Sequence, residues 1–313
     1  MRSLNEHTPT GAFSEGDKKV PKYAPKELLR MTQLEDYRVI VVEGRSDVVV
    51  YEQWLENRTP GGGGKYPKEI EFVEVDRIDF SSIANEHNLR GNRERVLAMA
   101  TVAGAEKFND LCGVIDRDLG YTGDQPSVLC TDYPAVESYS FNSDFFDFFN
   151  RLYLDNALPI GERVVAAMAP VLWQLFKFRE LNPNDKNPII YRGFSKIEDK
   201  GGDKQEEGLA LLRAYSIELV AERDDQNIPP ARDRHPSSED SRKYAYGHDI
   251  VPLLQHAFTN SLKRSNFRGL KQLEKLIILA LRTWDGVESE NLYRELRAFA
   301  VEGVAGVESM REK

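Results

Sequence analysis

Sulfur and imidazole are scarce in this chain. Its 313 residues include two cysteines, Cys112 and Cys130, and five histidines. Two thiols build no disulfide framework, and both lie in apolar, strand-like runs, where cysteine reads as a small buried hydrophobe. No CxxC or HxxxH spacing occurs and the histidines are scattered, which excludes a nitrogen- and sulfur-ligated zinc site. Positive charge is in deficit too: 42 Lys and Arg face 51 Asp and Glu, a formal net charge of −9. Polyanion binding through global charge is thereby excluded, and any nucleic acid must meet a local basic patch. No apolar run reaches the roughly 20 residues of a membrane span, and the N-terminus carries no signal-peptide apolar core. A cytoplasmic protein is expected. What remains is long enough to bury one large domain or two ordinary ones.

Hydrophobic patterning divides the chain into three. Residues 1–30 form a polar, flexible arm, with a short helix expected from Pro25 to Leu34. Residues 31–142 read as an α/β core in the order β-α-β-α-β-β. Its strands are Tyr37–Val42, Ile70–Val75, a run ending at Ile115, and Ser127–Cys130. Its helices are Asp47 to about Asn57, capped by Ser46, and Arg90–Asp110. Residues 143–313 are mainly helical, interrupted by polar stretches at Asn182–Gly202 and Asp224–Tyr244. Expected helices there include Leu209–Ala221, Asp249–Leu262, Leu270–Trp284 and Glu288–Val301. The Gly-rich Thr59–Pro67 loop resembles a phosphate-binding loop only superficially. Tyr66 follows its Lys65 where Ser or Thr is needed, and no strand precedes it.

Two runs carry the chemistry: YRVIVVEGRSD, Tyr37–Asp47, and LCGVIDRDLG, Leu111–Gly120. Each is a continuously apolar, β-branched run that stops abruptly in acids. Such runs belong to a parallel sheet covered on both faces, and in those sheets ligands bind beyond the carboxyl ends of the strands. Glu43, Asp116 and Asp118 are therefore expected at one edge, and Gly44 lets a phosphate approach the backbone closely. Carboxylates gathered there repel one another unless a cation neutralises them. Oxygen-only donors favour Mg²⁺ or Mn²⁺. The bland alternatives are a solvated strand end for Glu43 and a turn-capping pair for Asp116 and Asp118.

A strand ending in EGxxD, followed some seventy residues later by a strand ending in DxD, resembles the Toprim domain. That domain is the metal-dependent module of topoisomerases, DnaG-type primases and OLD-family nucleases. The resemblance spans about Tyr37–Tyr139 and implies a Toprim-like, doubly wound, mainly parallel sheet with a helical C-terminal extension. It assigns Glu43 as general acid/base or metal ligand, Asp116 and Asp118 as the metal-binding pair, and Asp47 as the extra acid of OLD-like nucleases. Catalysis would rest on Glu43, Asp116 and Asp118, with one or two ions. The phrase TDYPAVESY, Thr131–Tyr139, resembles a branch of standalone bacterial Toprim-like proteins that includes the effector subunit of the PARIS anti-phage system. There Glu137 matches a further acid; it can equally cap the helix behind it. This likeness implies a toxic, tRNA-cleaving effector, dimeric when active and controlled by an ABC-type ATPase partner.

Substrate contacts are expected from basic residues. Arg45 and Arg117 flank the acids, and Arg117 can instead pair with its acidic neighbours. Arg264, Arg268, Lys271, Lys275 and Arg282 recur at helical spacing, either as a phosphate-tracking stripe or as a solvated face. Arg242–Ile250 mixes basic and aromatic groups, either to stack RNA bases or to return the chain to the core, and His248 is a candidate catalytic assistant. Three other functions fit the pattern less completely. They are an OLD-like DNA nuclease, a haloacid-dehalogenase-type phosphatase built on VIDRDLG, and an inert Toprim-like module that only binds a partner.

Overall fold

A computed structural model describes residues 23–34, 36–58, 65–82, 89–118, 125, 127–181, 203–221, 240–264, 267 and 269–312. Its centre is a four-stranded, all-parallel sheet: β1 (Tyr37–Val42), β2 (Glu69–Glu74), β3 (Leu111–Ile115) and β4 (Val128–Cys130). The spatial order is β2-β1-β3-β4. Val42 lies opposite Glu74 on one side and Val114 on the other, so β1 and β3 finish almost level.

Alternation along β1 shows why its run is apolar throughout. Ile40 and Val42 enter one core and Val39 and Val41 another, and all four are completely buried. β3 divides likewise, Cys112 and Val114 facing the first core, Leu111 and Ile115 the second. Each fully buried aliphatic side chain is worth about 1.5–3 kcal/mol. A charged residue in the middle of either strand has no face to occupy.

The second core is closed by α1 (Pro25–Leu34), through Leu28 and Leu29, and by α3 (Asn92–Ala105), through Val96, Met99 and Ala103. α1 thus carries structure across the expected arm boundary at residue 30. Gly113 lets α3 lie directly on β3, since a Cβ there would stand 2.6 Å from Val96 Cγ1. α3 stops at Ala105, short of Asp110, and Lys107 just beyond it takes φ 57°.

The first core is closed by α2 (Arg45–Glu56), through Val50, Tyr51, Trp54 and Leu55, and by the C-terminal half. That half contains α4 (Ser143–Tyr153), α5 (Gly161–Leu181) and α6 (Lys204–Ala221). α7 (Gly247–Ala257) and α8 (Thr259–Arg264) follow, where a single helix was expected from 249 to 262. α9 (Leu270–Leu281), α10 (Asn291–Glu302) and the unexpected α11 (Val304–Arg311) complete it. Sheet and extension share one continuous cluster of buried side chains. Buried Arg38 of β1 fastens them, donating to Asp110 Oδ1 at 3.0 Å and to the carbonyl of Ala300 in α10 at 2.7 Å. Asp132 caps α10, accepting from the N–H groups of Asn291 and Leu292 at 3.2 and 3.1 Å.

Residues 1–22, most of the Gly-rich loop, the Asn182–Gly202 stretch and most of Asp224–Tyr244 lie outside the described residues.

Candidate active site at the carboxyl edge of the sheet

Glu43 follows β1 directly and Asp116 follows β3 directly, so strand register alone sets them side by side. The Asp116 N–H donates to Glu43 Oε1 at 3.0 Å, joining the two strand ends. Gly44, in an extended conformation, is the N-cap of α2, in place of the expected Ser46. Glycine has no side chain with which to cap. Asp47, in the first turn, answers instead by accepting the Gly44 N–H on Oδ2 at 3.0 Å. That hydrogen bond draws the Asp47 carboxylate back toward Glu43.

Two more acids close the group. Asp118 adopts φ 48°, and its N–H bonds the carbonyl of Pro134 at 3.1 Å. Glu137 sits in a 3-10 turn, Val136–Ser140, against the start of α7. A Cβ on Gly247 would stand 2.5 Å from Glu137 Oε2, so only glycine admits the carboxylate in this position. The alternative role for Glu137, capping the following helix, falls to Asn142, whose Oδ1 accepts the Asp144 N–H at 2.8 Å.

The electrostatics tie the other four acids to Asp116. Burial pushes the Asp116 carboxyl well above the usual range, and Asp47, Glu137, Glu43 and Asp118 push it further. Asp116 keeps a strip of solvent contact at the edge, although nearly everything around it is protein. Asp47 is raised to about 7, by burial first and then by Glu137 and Glu43. Glu137 and Glu43 are raised by burial as well; the Asp116 N–H restrains Glu43, and the backbone together with His248 restrains Glu137.

Among the described residues, no group of three or more His, Cys, Asp or Glu side chains is drawn tightly enough to hold a metal ion. Each of three acids is turned toward a protein donor: Glu43 to the Asp116 N–H, Asp47 to the Gly44 N–H, and Asp118 to Arg93 and Tyr246. In kind, however, five carboxylates and no nitrogen or sulfur donor form the set that a hard divalent cation takes.

Arg93 and Tyr246 are site residues that strand-end patterns do not reveal. Arg93 Nη1 pairs with Asp118 Oδ2 at 2.9 Å, and the Tyr246 hydroxyl donates to Asp118 Oδ1 at 3.2 Å. Tyr246 is held in turn by the Arg179 guanidinium, 4.9 Å from its ring centre, which also grips the buried Asp249 through two hydrogen bonds of 2.6 and 3.0 Å. Ala245 and Gly247 on either side are buried, so this segment does return the chain to the core. His248 is exposed beside Glu137.

The basic candidates separate. Arg45 lies at the edge, 58% exposed, in a loose 3.6 Å pair with Glu74. Arg117 pairs with neither acidic neighbour: its Nε donates to the carbonyl of Thr131 at 2.9 Å, while its backbone N–H donates to the Thr131 hydroxyl at 2.8 Å. Lys271 and Lys275 stand exposed on α9. Arg282 leaves the expected stripe, because its Nη2 donates to Gln53 Oε1 of α2 at 2.5 Å and its Nε is buried. Arg268 and the Arg264 side chain lie outside the described residues. No protein-family model matches this chain, and no curated protein matches it either.

Proposed function

We propose that this edge hydrolyses phosphodiester bonds of nucleic acid with the help of Mg²⁺ or Mn²⁺, RNA being the favoured substrate. One observation carries the reading: five carboxylates from three chain segments lie at the edge beyond β1 and β3, and four of them act on the fifth, Asp116, to raise its pKa. A fold that needed only stability would not gather so many like charges at one half-buried edge, because each is costly unless compensated.

Glu43, Asp47, Asp116, Asp118 and Glu137 would hold the metal, which supplies charge neutralisation and a water of lowered pKa when bound. The chain's own residues do the rest. Glu43, placed by the Asp116 N–H, exchanges the proton of the attacking water or the leaving oxygen. Arg93 and Tyr246 orient Asp118 and move with it when its oxygens are claimed. Arg45 meets the phosphate flanking the cut.

The Toprim resemblance supports this assignment, and its PARIS-like branch extends it to a toxic anti-phage effector that cuts host tRNA, works as a homodimer and is restrained by an ABC-type ATPase partner. Among the described residues no helix is long and apolar enough to cross a membrane, in keeping with a substrate met in solution. The test is cleavage of end-labelled tRNA, single-stranded RNA and duplex DNA with and without Mg²⁺. Wild type should cut with metal alone, RNA before DNA, and both Glu43→Ala and Asp116→Ala/Asp118→Ala should be inactive yet folded. Full activity in Glu43→Ala would show that the chemistry lies elsewhere.

A further inference from the structure

A pocket of about 370 Å³ opens between α2 and α9, one turn from the acids. Its floor is aliphatic, made by Val49, Ile278 and Leu279; its rim carries Arg45, Lys271 and Lys275. Ser46, next to Asp47, lines one side, and Glu274 lines the other. Glu274 is felt by Glu137, so this wall is shared with the acid group. The lining thus carries three cations, Arg45 in its loose pair with Glu74, and one carboxylate.

We infer that this pocket receives one nucleotide of the bound strand, its base against the aliphatic floor and its phosphate between Arg45, Lys271 and Lys275, so that the strand is held in register beside the acids. Size and chemistry agree. The volume lies at the small end of ligand pockets, about 300–1,000 Å³, and the lining joins an apolar floor to a cationic rim, as a heterocycle with a phosphate requires. A duplex does not reach such a recess without extruding a base, whereas a single-stranded segment offers splayed bases freely. Arg45 belongs to the turn that begins at Glu43, and Lys271 and Lys275 to a helix more than 220 residues later. No linear stripe along α9 reproduces that convergence. The inference rests on the nucleic-acid reading above and adds to it where the strand lies.

The experiment is fluorescence anisotropy of a labelled single-stranded RNA of about 15 nucleotides with the full chain. It is run in EDTA so that nothing is cut, over a range of salt. Lys271→Gln/Lys275→Gln should weaken binding at least tenfold and lower the log–log salt slope by about 1.4, at about 0.7 per phosphate contact on a single strand. Leu279→Trp fills the recess from an exposed position and keeps every charge, so it should weaken binding severalfold at unchanged slope. Wild-type affinity in Leu279→Trp, or an unchanged slope in the double glutamine variant, overturns the inference. Displacement of the RNA by micromolar AMP overturns it as well, because the pocket would then serve a free nucleotide. If the wild type binds no RNA, the proposed function falls first. If it binds and cleaves while both variants match it, only the pocket assignment falls.

Discussion

Asp116→Asn should stabilise the metal-free chain by an amount that grows as pH rises above about 4. A carboxyl whose folded pKa is raised keeps its proton over a range in which the unfolded chain has lost its own. The native state then binds more protons, and stability falls as pH rises. For Asp47 this window runs from the unfolded value of 3.8 to about 7, and Asp116, Glu43 and Glu137 are displaced in the same direction. At about 1.4 kcal/mol per unit, Asp47 alone disfavours the fold by up to about 4 kcal/mol once the window has been crossed. The asparagine keeps the volume of Asp116 and its backbone bond to Glu43 while removing the charge that faces all four other acids. Close to pH 4 the unfolded chain still holds part of its carboxyl protons, so variant and wild type should differ least there. At pH 8 the variant should gain about 1–3 kcal/mol, and at roughly 2–4 °C per kcal/mol for a chain of this size the melting temperature should rise by several degrees. Thermal unfolding in EDTA from pH 4 to 8 at constant ionic strength measures this directly. Parallel curves for the two proteins would refute the claim that these acids interact.

Metal should act on the same cluster with the opposite sign. Saturating Mg²⁺ or Mn²⁺ at about 100 times its dissociation constant should stabilise the wild type by about 2.7 kcal/mol. Asp116→Ala/Asp118→Ala should lose that shift, and equal shifts in both proteins would remove these residues as ligands. Gly247→Ala should displace the Glu137 carboxylate, at about 1–3 kcal/mol of overpacking, and lower the affinity for Mg²⁺ seen by calorimetry; unaltered affinity would exclude Glu137 from the metal set. Arg38→Ala leaves Asp110 with Lys68, 3.1 Å away, as its remaining cation and deprives the Ala300 carbonyl of its donor, and should cost about 1–3 kcal/mol in urea unfolding. A loss below about 1 kcal/mol would show that this link between sheet and extension matters little.

The sheet was legible because its signal is local. A strand buried on both faces needs an uninterrupted β-branched run, and β1 and β3 announce themselves by Val39–Val42 and by Val114–Ile115 with the acids that end them. Helix ends were less legible. Arg90–Asp110 carries apolar residues to Phe108, but α3 stops at Ala105, where Lys107 turns the chain toward β3. α11 went unseen because Val304–Arg311 offers mostly small residues, and its start depends on a remote partner: the Val304 and Ala305 N–H groups bond the carbonyl and side chain of Asn109, at 2.8 and 2.9 Å. In the site, the acids at strand ends could be read from sequence, whereas their partners could not. Arg93 reaches Asp118 from α3 and Tyr246 from the segment before α7, and only packing brings them there. The basic stripe failed for a related reason. Helical spacing places Arg282 with Lys271 and Lys275, but α2 lies close enough for Gln53 to claim it.

Asp118 shows how conformation and chemistry become entangled at this edge. In a regular extended segment Asp116 and Asp118 would point to the same side, which is the simplest reading of their spacing. Instead the chain turns at Asp118 through a left-handed conformation, φ 48°, that aspartate, asparagine and glycine tolerate better than other residues. The turn is held by its N–H on Pro134 and by Arg93 and Tyr246 on its two carboxylate oxygens. Position 118 therefore selects an acid twice, once for its charge and once for its backbone. Alanine there removes the carboxylate and strains the turn together, whereas asparagine removes the charge alone and keeps a residue suited to the bend. The same double demand explains the partners of Asp118: Arg93 supplies positive charge to one carboxylate oxygen and Tyr246 a hydroxyl to the other, so the turn is held by the chain's own groups.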